Sequence, residues 1–482
     1  MSSTILFLVL ISFFGLVFCI SHITSRNVNN ETFFTGNRRS PWYMVAFAMI
    51  GTTISGVTFI SVPGEVGHSG WTYLQFLLGN FVGYWVVALV LIPLYYRLQL
   101  ISIYTYLNQR FGLRSYKTGS FFFLVSRTIG ASFRMYLVAG VLQLAFFDAL
   151  GIPFWATVAI AIFMIWAYTF RAGIKTIIWT DSLQTTFLLT SVVITIFIIS
   201  KQLDLNLVKM IQAIDSNQLS HTFDWDWRSG TNFFKQFLAG LGIVIVMNGL
   251  DQDIMQKSLT CKNKFDAQKN LFWFSLAFIV VNLLFLCLGV LLYIFAQREG
   301  IAVPAKTDDF FPLLALNHFG TIAGVLFLLG IVSATYSSSD SALTALTTSF
   351  CIDFLNLDPQ KPESKLTRMK VHIGFSFLMF LVIVIFKIIN NESVVTAVFK
   401  VAGYTYGPLL GLFAFGILTK RKVKDRYVPI AGFLSPVLTY IINTNSESWL
   451  GGYKFGFELL LLNGLIMFAS LLLLTQKPIH SK

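Results

Sequence analysis

The chain of 482 residues is 55% hydrophobic and only 12% charged, and its mean hydropathy is +0.71. Soluble domains carry roughly 25% charged residues, so this composition excludes an ordinary soluble protein and indicates a membrane protein in a lipid bilayer. The formal net charge of +13 would suggest nucleic-acid binding in a soluble protein, but the basic residues fall in alternate loops, as the positive-inside rule expects. We therefore expect no nucleic-acid partner. The four cysteines and six histidines are scattered without metal-binding spacing.

Apolar segments long enough to cross a bilayer recur along the whole chain. About 20 residues cross a hydrocarbon core of about 30 Å. The first segment has no basic residue before it, which argues against a cleaved signal peptide. Hydropathy predicts about 13 transmembrane helices, near 3–21, 41–64, 70–96, 117–149, 153–170, 177–200, 233–254, 271–296, 318–353, 369–389, 392–419, 427–443 and 455–475.

The charged loops predict the orientation of these helices. Short loops such as GEVGHSG (64–70) and NNES (390–393) carry few positive charges and are expected outside. Because the alternation never breaks, we expect the N-terminus outside and the C-terminus inside. The loops rich in lysine and arginine, which are expected inside, are 26–39, 97–117, 171–175, 257–269, 361–370 and 419–426.

The second predicted helix is interrupted by the glycine-rich stretch GTTISG at 51–56, and PG follows at 63–64. Backbone within a bilayer must be hydrogen-bonded unless it lines a cavity. Broken helices in transporters place free carbonyls and helix ends near the middle of the membrane, where they hold ions and substrate. The interruption is therefore typical of a transport protein.

A polar stretch, SATYSSSDSALTAL at 333–346, lies inside a long apolar run. On a helix, Ala334, Ser337 and Ser338 share one face, and Ser337, Asp340 and Ser341 share the adjacent face. Both faces offer hard oxygen ligands, which suit a small cation better than a soft metal. Serines alone are equally consistent with contacts between helices, but a carboxylate within the membrane costs about 2.5–3.5 kcal/mol and needs a partner or an ion.

Two further charged residues fall inside predicted helices. Asp181 follows Trp179 in GIKTIIWTDSLQTTF and lies one or two turns inside the membrane, unless it is simply an interfacial residue. Arg134 lies about 16 residues into its helix, or roughly 24 Å at 1.5 Å per residue. This depth predicts a counter-anion, which is either a ligand or a structural partner such as Asp181 or Asp340. We interpret Arg127 as structural.

Four segments, in this order, resemble the sodium/solute symporter family, whose members include sodium-coupled glucose, proline and sialic-acid transporters. They are GTTISGVTFISVPG (51–64), GIKTIIWTDSLQ (173–184), DQDIMQKSLTCKN (251–263) and ATYSSSDSALTAL (334–346). The resemblance covers nearly the whole chain and is closest to the sialic-acid-type members. It implies an all-α membrane protein with the leucine-transporter fold, divided into a leading helix (1–25), inverted five-helix repeats at 41–200 and 233–420, and two C-terminal helices at 427–475. Core helices one, six and eight would be 41–64, 233–254 and 318–353.

The family's main sodium site lies between the break in core helix one and the serine face of core helix eight. The resemblance implies that its ligands here are the backbone carbonyls of Gly51, Ile54 and Ala334 and the hydroxyls of Ser337 and Ser338. These residues match the cation-binding face of the stretch at 333–346.

A second sodium site occurs in sialic-acid-type members. The resemblance implies that it is formed here by Asp181, Ser337, Asp340 and Ser341. Asp340 departs from the family, because a serine or threonine is expected there; it would strengthen sodium binding or, if protonated, couple a proton instead. The chain is therefore expected to bind one or two sodium ions.

The resemblance also implies a substrate site. Proline-type members carry an acid at the position of Thr53 and sugar-type members an amide, so this sequence departs from both. We further expect the stretch 400–408 to line the pocket, and the charged run after 252 to be a solvated loop. The implied substrate contacts are Thr53, Ser55, Thr58 and Arg134, with Gln75 as a further candidate, and the residues expected to close the inner mouth are Asp251 and Gln252.

These features together predict a sodium-coupled symporter that imports a small polar solute by alternating access. Arg134 favours an anionic sugar acid such as a sialic acid, and then a smaller carboxylate. The alternatives are a neutral sugar or amino-acid symporter and a proton-coupled transporter. A sensor is disfavoured because no kinase-like domain is present, and an enzyme because there is no nucleophile–base set, metal cluster or phosphate loop. We expect a monomer in the plasma (bacterial inner) membrane.

Overall fold

The computed structural model describes residues 3–24, 30–169, 173–358, 364–389 and 394–476. Within these ranges the chain is almost entirely helical, with only isolated β-bridges, so the all-α prediction is confirmed. Short helices at Asn30–Thr35, Thr105–Arg110, Leu207–Asp215, Phe310–Asn317 and Ser446–Trp449 connect the principal ones. The principal helices are α1 (Ser3–Thr24), α2 (Trp42–Thr53), α3 (Gly56–Ser69), α4 (Tyr73–Arg97), α5 (Leu113–Leu150), α6 (Phe154–Thr169), α7 (Ile174–Gln202), α8 (Phe233–Gly249), α9 (Gln252–Ser258), α10 (Lys264–Glu299), α11 (Gly320–Phe354), α12 (Ser364–Ile389), α13 (Val394–Thr405), α14 (Gly407–Leu418), α15 (Asp425–Thr444) and α16 (Leu459–Leu473).

Each predicted span overlaps one of these helices or a bent pair of them. Among the described residues, eight helices are long and apolar enough to cross a membrane, and three bent pairs raise this number to as many as eleven. Two more apolar helices, α6 and α16, are shorter. The expected count of spans and the orientation of the termini therefore stay predictions. Some predicted loop positions lie outside the described residues, namely Arg26, Arg171, Lys361 and 390–393.

Three bent pairs interrupt the described helices. The bend is 59° between α2 and α3, 69° between α8 and α9, and 47° between α13 and α14. The glycine-rich stretch at 51–56 predicted the first bend. No break was predicted within 233–254 or 392–419, whereas the structure bends both segments. At the third bend, Pro408 lacks the N–H that a continuous helix would use.

The helices pack so that the first break faces the middle of α11. α7 packs along α11, α2 contacts both, and α5 contacts α11 as well. Glycine is needed at the break because a methyl group added at Gly56 would collide with Thr335 Oγ1 on α11, and one at Gly51 would collide with Thr185 Oγ1 on α7. The close approach places the backbone of the break beside the polar stretch of α11.

Candidate functional site

The break between α2 and α3 leaves two predicted ligand carbonyls free. Ile54 and Ser55 depart from helical geometry, with ψ angles of 85° and 175°. The amide of Ser55 donates to Thr53 O at 3.1 Å instead of to Gly51 O. Within the described residues, no backbone hydrogen bond ends on the carbonyl oxygen of Gly51 or Ile54. Carbonyls without partners at membrane depth are tolerated where they line a cavity or hold an ion, and both of these are therefore available to a cation.

The polar face of α11 supplies the opposing oxygens. Ser337 Oγ is buried and has no hydrogen-bond partner among the described residues. The hydroxyl of Ser338 donates to Thr335 O at 3.0 Å, so its oxygen lone pairs remain available. Ala334 is fully buried in the same turn. A methyl group added at Gly51 would lie 3.2 Å from Ser337 Oγ, so the structure brings both halves of the predicted main site together, and their oxygens fit a small hard cation.

Asp181 is paired with a lysine that the sequence prediction assigned to a solvated loop. Oδ2 of Asp181 forms an ion pair with Nζ of Lys257 on α9 and accepts a hydrogen bond from Thr52 Oγ1 at 3.0 Å. Nζ of Lys257 also donates to the Thr52 hydroxyl. The side chains of Asp181 and Lys257 are both fully buried. The prediction of a solvated loop is therefore wrong for Lys257, because α9 turns this side chain towards α2 and α7.

The other residues predicted for a second sodium site have separate partners. The hydroxyl of Tyr168 on α6 donates to Asp340 Oδ2 at 2.9 Å. Ser341 donates to a carboxylate oxygen of Asp253 in the first turn of α9. Oδ1 of Asp181 and Oδ1 of Asp340 are buried without a hydrogen-bond partner in the described part of the chain. The role of these residues in sodium binding stays a prediction.

A cavity of about 90 Å³ lies beside the break. Thr53, Ser55 and Thr58 line it from α2 and α3, and Arg134 lines it from α5; their contact with a substrate stays a prediction. Arg134 forms no hydrogen bond or ion pair with the described residues, so it is not the structural partner of Asp181 or Asp340. The rest of the wall is mainly apolar and aromatic, and includes Phe76, Tyr84, Met247, Phe278 and Phe399.

Two predictions about the cavity wall are corrected. Gln75 is fully buried but does not line the cavity. Its Nε2 donates to Thr231 O at 2.9 Å and its Oε1 accepts from the amide of Asp224 at 3.2 Å, so it holds the loop before α8. The stretch 400–408 does not line the cavity either; α13 contributes the residues just before it, Val395, Val398 and Phe399.

A network of buried charged and polar residues adjoins the cavity through Arg127. Arg127, which also lines the cavity, forms an ion pair with Asp253, and its Nη1 lies 3.9 Å from Asp251 Oδ2. The hydroxyl of Tyr406 donates to Asp251 Oδ2 at 2.6 Å. Gln252 bonds instead to the backbone of the connection between α4 and α5, with contacts of 2.8 and 3.0 Å. Asp251 and Gln252 thus tie the α8–α9 bend to neighbouring elements; their role in closing an inner mouth stays a prediction.

Asp253, Lys257 and Tyr168 were not predicted from the sequence as site residues. A signal for two of them exists, because Asp253 and Lys257 are four residues apart in DQDIMQK and would share one face of a helix. Both nevertheless have their ion-pair partners on other helices, Asp253 with Arg127 and Lys257 with Asp181. No comparable signal marked Tyr168.

The bent helix with its free carbonyls, the polar stretch of α11 that faces it and the cavity beside them are the features expected of a membrane transporter. Residues 33–425 match the model of the sodium:solute symporter family, and the chain belongs to this family. The prediction of a sodium-coupled symporter rather than an enzyme is confirmed with it. The matched residues include both predicted repeats, 41–200 and 233–420.

Relatives at about one quarter identity span most of the chain. The sodium/sialic acid symporter NanT of Aliivibrio fischeri is 26% identical over 446 residues, which are 87% of this chain and 84% of the relative. The sodium/sialic acid symporter SiaT of Proteus mirabilis is 24% identical and covers 83% of this chain and 82% of its own. The human sodium/iodide cotransporter is 25% identical over 80% of this chain and 61% of its own.

Solved structures show the same fold. A Na⁺-coupled sialic acid symporter, in a substrate-bound outward-open state, superposes with a TM-score of 0.82 at 21% identity and covers 97% of each chain. Mhp1, a transporter of the nucleobase-cation-symport-1 family in a closed conformation, gives a TM-score of 0.58 at 13% identity, over 93% of this chain and 96% of its own. The predicted leucine-transporter fold is thereby confirmed.

Proposed function

We propose that this protein couples sodium entry to the uptake of a small anionic solute, with a sugar acid of the sialic-acid type as the first candidate. The observation that carries the proposal is Arg134, which lines the cavity without a partner among the described residues. An unpaired guanidinium within a membrane is costly, and its planar fork matches a carboxylate in two parallel hydrogen bonds. The hydroxyls of Thr53, Ser55 and Thr58 suit a polyol body. The sialic acid symporters NanT and SiaT support the choice.

In this proposal sodium is a co-substrate held between the helix break and α11. Its ligands are the carbonyls of Gly51, Ile54 and Ala334 and the hydroxyls of Ser337 and Ser338. Because these oxygens belong to separate helices, bound sodium favours the arrangement in which the break and α11 lie together, and the solute binds to that arrangement. A ligand shifts such an equilibrium only by its differential affinity for the two states. Sodium entry also offsets the cost of moving an anion against an inside-negative potential, about 2.3 kcal/mol per charge per 100 mV.

A smaller carboxylate is the second candidate, and the size of the cavity favours it. A volume of about 90 Å³ holds about three water molecules at about 30 Å³ each. It lies well below the roughly 300 Å³ of the smaller ligand pockets. A sugar acid therefore requires the cavity to widen, whereas a short monocarboxylate requires less change. A neutral sugar would leave the charge of Arg134 without a counter-ion.

The proposal includes the placement of the chain in the membrane. We take 41–200 and 233–420 as inverted repeats, since a bent pair begins each of them: α2 with α3, and α8 with α9. The distribution of basic loops supports an N-terminus outside and a C-terminus inside. The protein would act as a monomer, as a multi-pass protein of the bacterial inner membrane.

Competition experiments test the charge of the solute. Purified protein in liposomes takes up a labelled sugar acid or monocarboxylate found by thermal-shift screening with and without sodium. Carboxylic acids should compete with uptake, and their neutral amides or esters should not. Arg134→Lys, which keeps the charge but loses the fork, should weaken competition by the acids. Equal competition by acids and neutral analogues would contradict an anionic substrate and favour a neutral sugar.

A further inference from the structure

The position predicted for a second sodium ion contains a positive charge of the protein itself. Nζ of Lys257 lies against Asp181 Oδ2 and the hydroxyl of Thr52, and the lysine side chain has no exposed surface. Thr52 also donates to Asp181 at 3.0 Å. The ammonium group of lysine is only a hydrogen-bond donor. The Asp181 and Thr52 oxygens therefore accept from it, and their lone pairs would face a metal cation in the same way.

One carboxylate oxygen of each acid in the predicted second site has a partner within the protein. Asp181 and Asp340 are the acids of the predicted second site, and both are fully buried. Asp340 is held by Tyr168 through Oδ2, and Ser341, a predicted ligand, is directed to Asp253. A sodium ion at Asp181 would be placed next to Lys257, and like charges in a buried site repel. A sodium ion bound to Asp181 would therefore have to share this carboxylate with the ammonium of Lys257.

We propose that the ammonium of Lys257 is a resident cation that replaces the second sodium ion, so that this transporter binds one sodium ion, at the Ser337–Ser338 site. The inference rests on the proposed sodium-coupled function and specifies its stoichiometry. A tethered ammonium is not released with the solute, so it contributes no transported charge. It does join α9 to α2 and α7, which are elements of the inner closure and of the helix break.

Sodium binding to the purified full-length protein tests this without knowledge of the solute. The probe is radioactive sodium alone, and its binding is measured by scintillation proximity. In the reference samples, potassium or choline takes the place of unlabelled sodium, so that no other sodium competes for the site. Wild type should bind one sodium ion per protein with a Hill coefficient of one, and Ser337→Ala should weaken that binding at least tenfold. Lys257→Gln should bind two ions, and the additional ion should be absent in Lys257→Gln/Asp181→Asn. Lys262→Gln, which changes an exposed lysine five residues further on, should bind one ion, like wild type.

The outcomes separate the inference from the proposed function. Two sodium ions bound by wild type, one of them lost in Asp181→Asn, would overturn the resident-cation proposal and leave sodium coupling intact. A well-folded Lys257→Gln that still binds one ion would also overturn it. No sodium binding by wild type would overturn the proposed function itself. If Lys257→Gln fails to fold because Asp181 is left unpaired, the count for wild type still decides between one ion and two.

Discussion

Replacing Ser337 with alanine is expected to weaken sodium binding without destabilising the sodium-free protein. Ser337 Oγ has no well-formed hydrogen bond in the described part of the chain, so the substitution removes only a weak contact with the nearby Asp181 carboxylate, and removing a buried hydroxyl without a strong partner is close to neutral. The hydroxyl is a proposed ligand of the ion, however. Taking about 1.5–3 kcal/mol for a polar contact to a charged group, and about tenfold for every 1.4 kcal/mol, the affinity for sodium should fall roughly 10- to 150-fold.

Thermal unfolding in sodium and in potassium measures both effects on one sample. At a sodium concentration of about 100 times the wild-type dissociation constant, the bound ion stabilises wild type by about 2.7 kcal/mol, whereas a tenfold weaker site gives about 1.4 kcal/mol. In potassium the two proteins should unfold at the same temperature. Ser339→Ala is the matched control, because Ser339 lies on the same helix but faces Met135, with its hydroxyl 3.7 Å from the sulfur. An unchanged sodium response in Ser337→Ala would refute the site, and an equal loss in Ser339→Ala would show a general effect on α11.

Three further substitutions test separate parts of the account. Arg134→Gln should raise the KM for an anionic solute roughly 10-fold or more, since a contact between charged groups contributes about 1.5–3 kcal/mol; uptake kinetics measure this, and an unchanged KM would remove Arg134 from the substrate site. Gly51→Ala should destabilise the protein by about 1–3 kcal/mol through its clash with Thr185, as seen in thermal unfolding, and wild-type stability would contradict the close packing at the break. Asp253→Asn leaves the buried Arg127 guanidinium without its main partner, and breaking a buried pair costs about 3–5 kcal/mol. A cysteine introduced into the cavity wall, as in Thr58→Cys, should therefore be labelled faster from the C-terminal side in the Asp253→Asn background than in the wild-type background, and equal labelling would show that this pair does not close the inner mouth.

The helix break and the serine face that form the proposed ion site could be predicted from the sequence because their signals are local. Glycine at 51 and 56 marks a break in an apolar helix, and the spacing of Ala334, Ser337 and Ser338 defines a face of any helix that contains them. The structure adds the tertiary contact, since a Cβ atom added at Gly51 would lie 3.2 Å from Ser337 Oγ. Arg134 was predictable as well, since its depth in an apolar segment already required a counter-ion.

The ion pair between Asp181 and Lys257 was not predictable from the sequence, because it depends on the direction in which a short helix turns. Lys257 is followed by Lys262 and Lys264 in one basic run, and the sequence alone does not distinguish a buried lysine from two exposed ones. The 69° bend between α8 and α9 makes that distinction, since it directs Lys257 to Asp181. Gln75 illustrates the same limit: its position in a helix near the break suggested the cavity, but a distant loop supplies its hydrogen bonds.

Sodium-driven uptake into proteoliposomes tests the central claim most directly. Protein is reconstituted into liposomes loaded with potassium, and a labelled sialic acid, or the monocarboxylate that stabilises the protein best, is added outside with either sodium or potassium. The account predicts transient accumulation of the anion above equilibrium only with an inward sodium gradient, and its loss in Ser337→Ala. Equal uptake in potassium, or accumulation driven by an inward proton gradient without sodium, would contradict it.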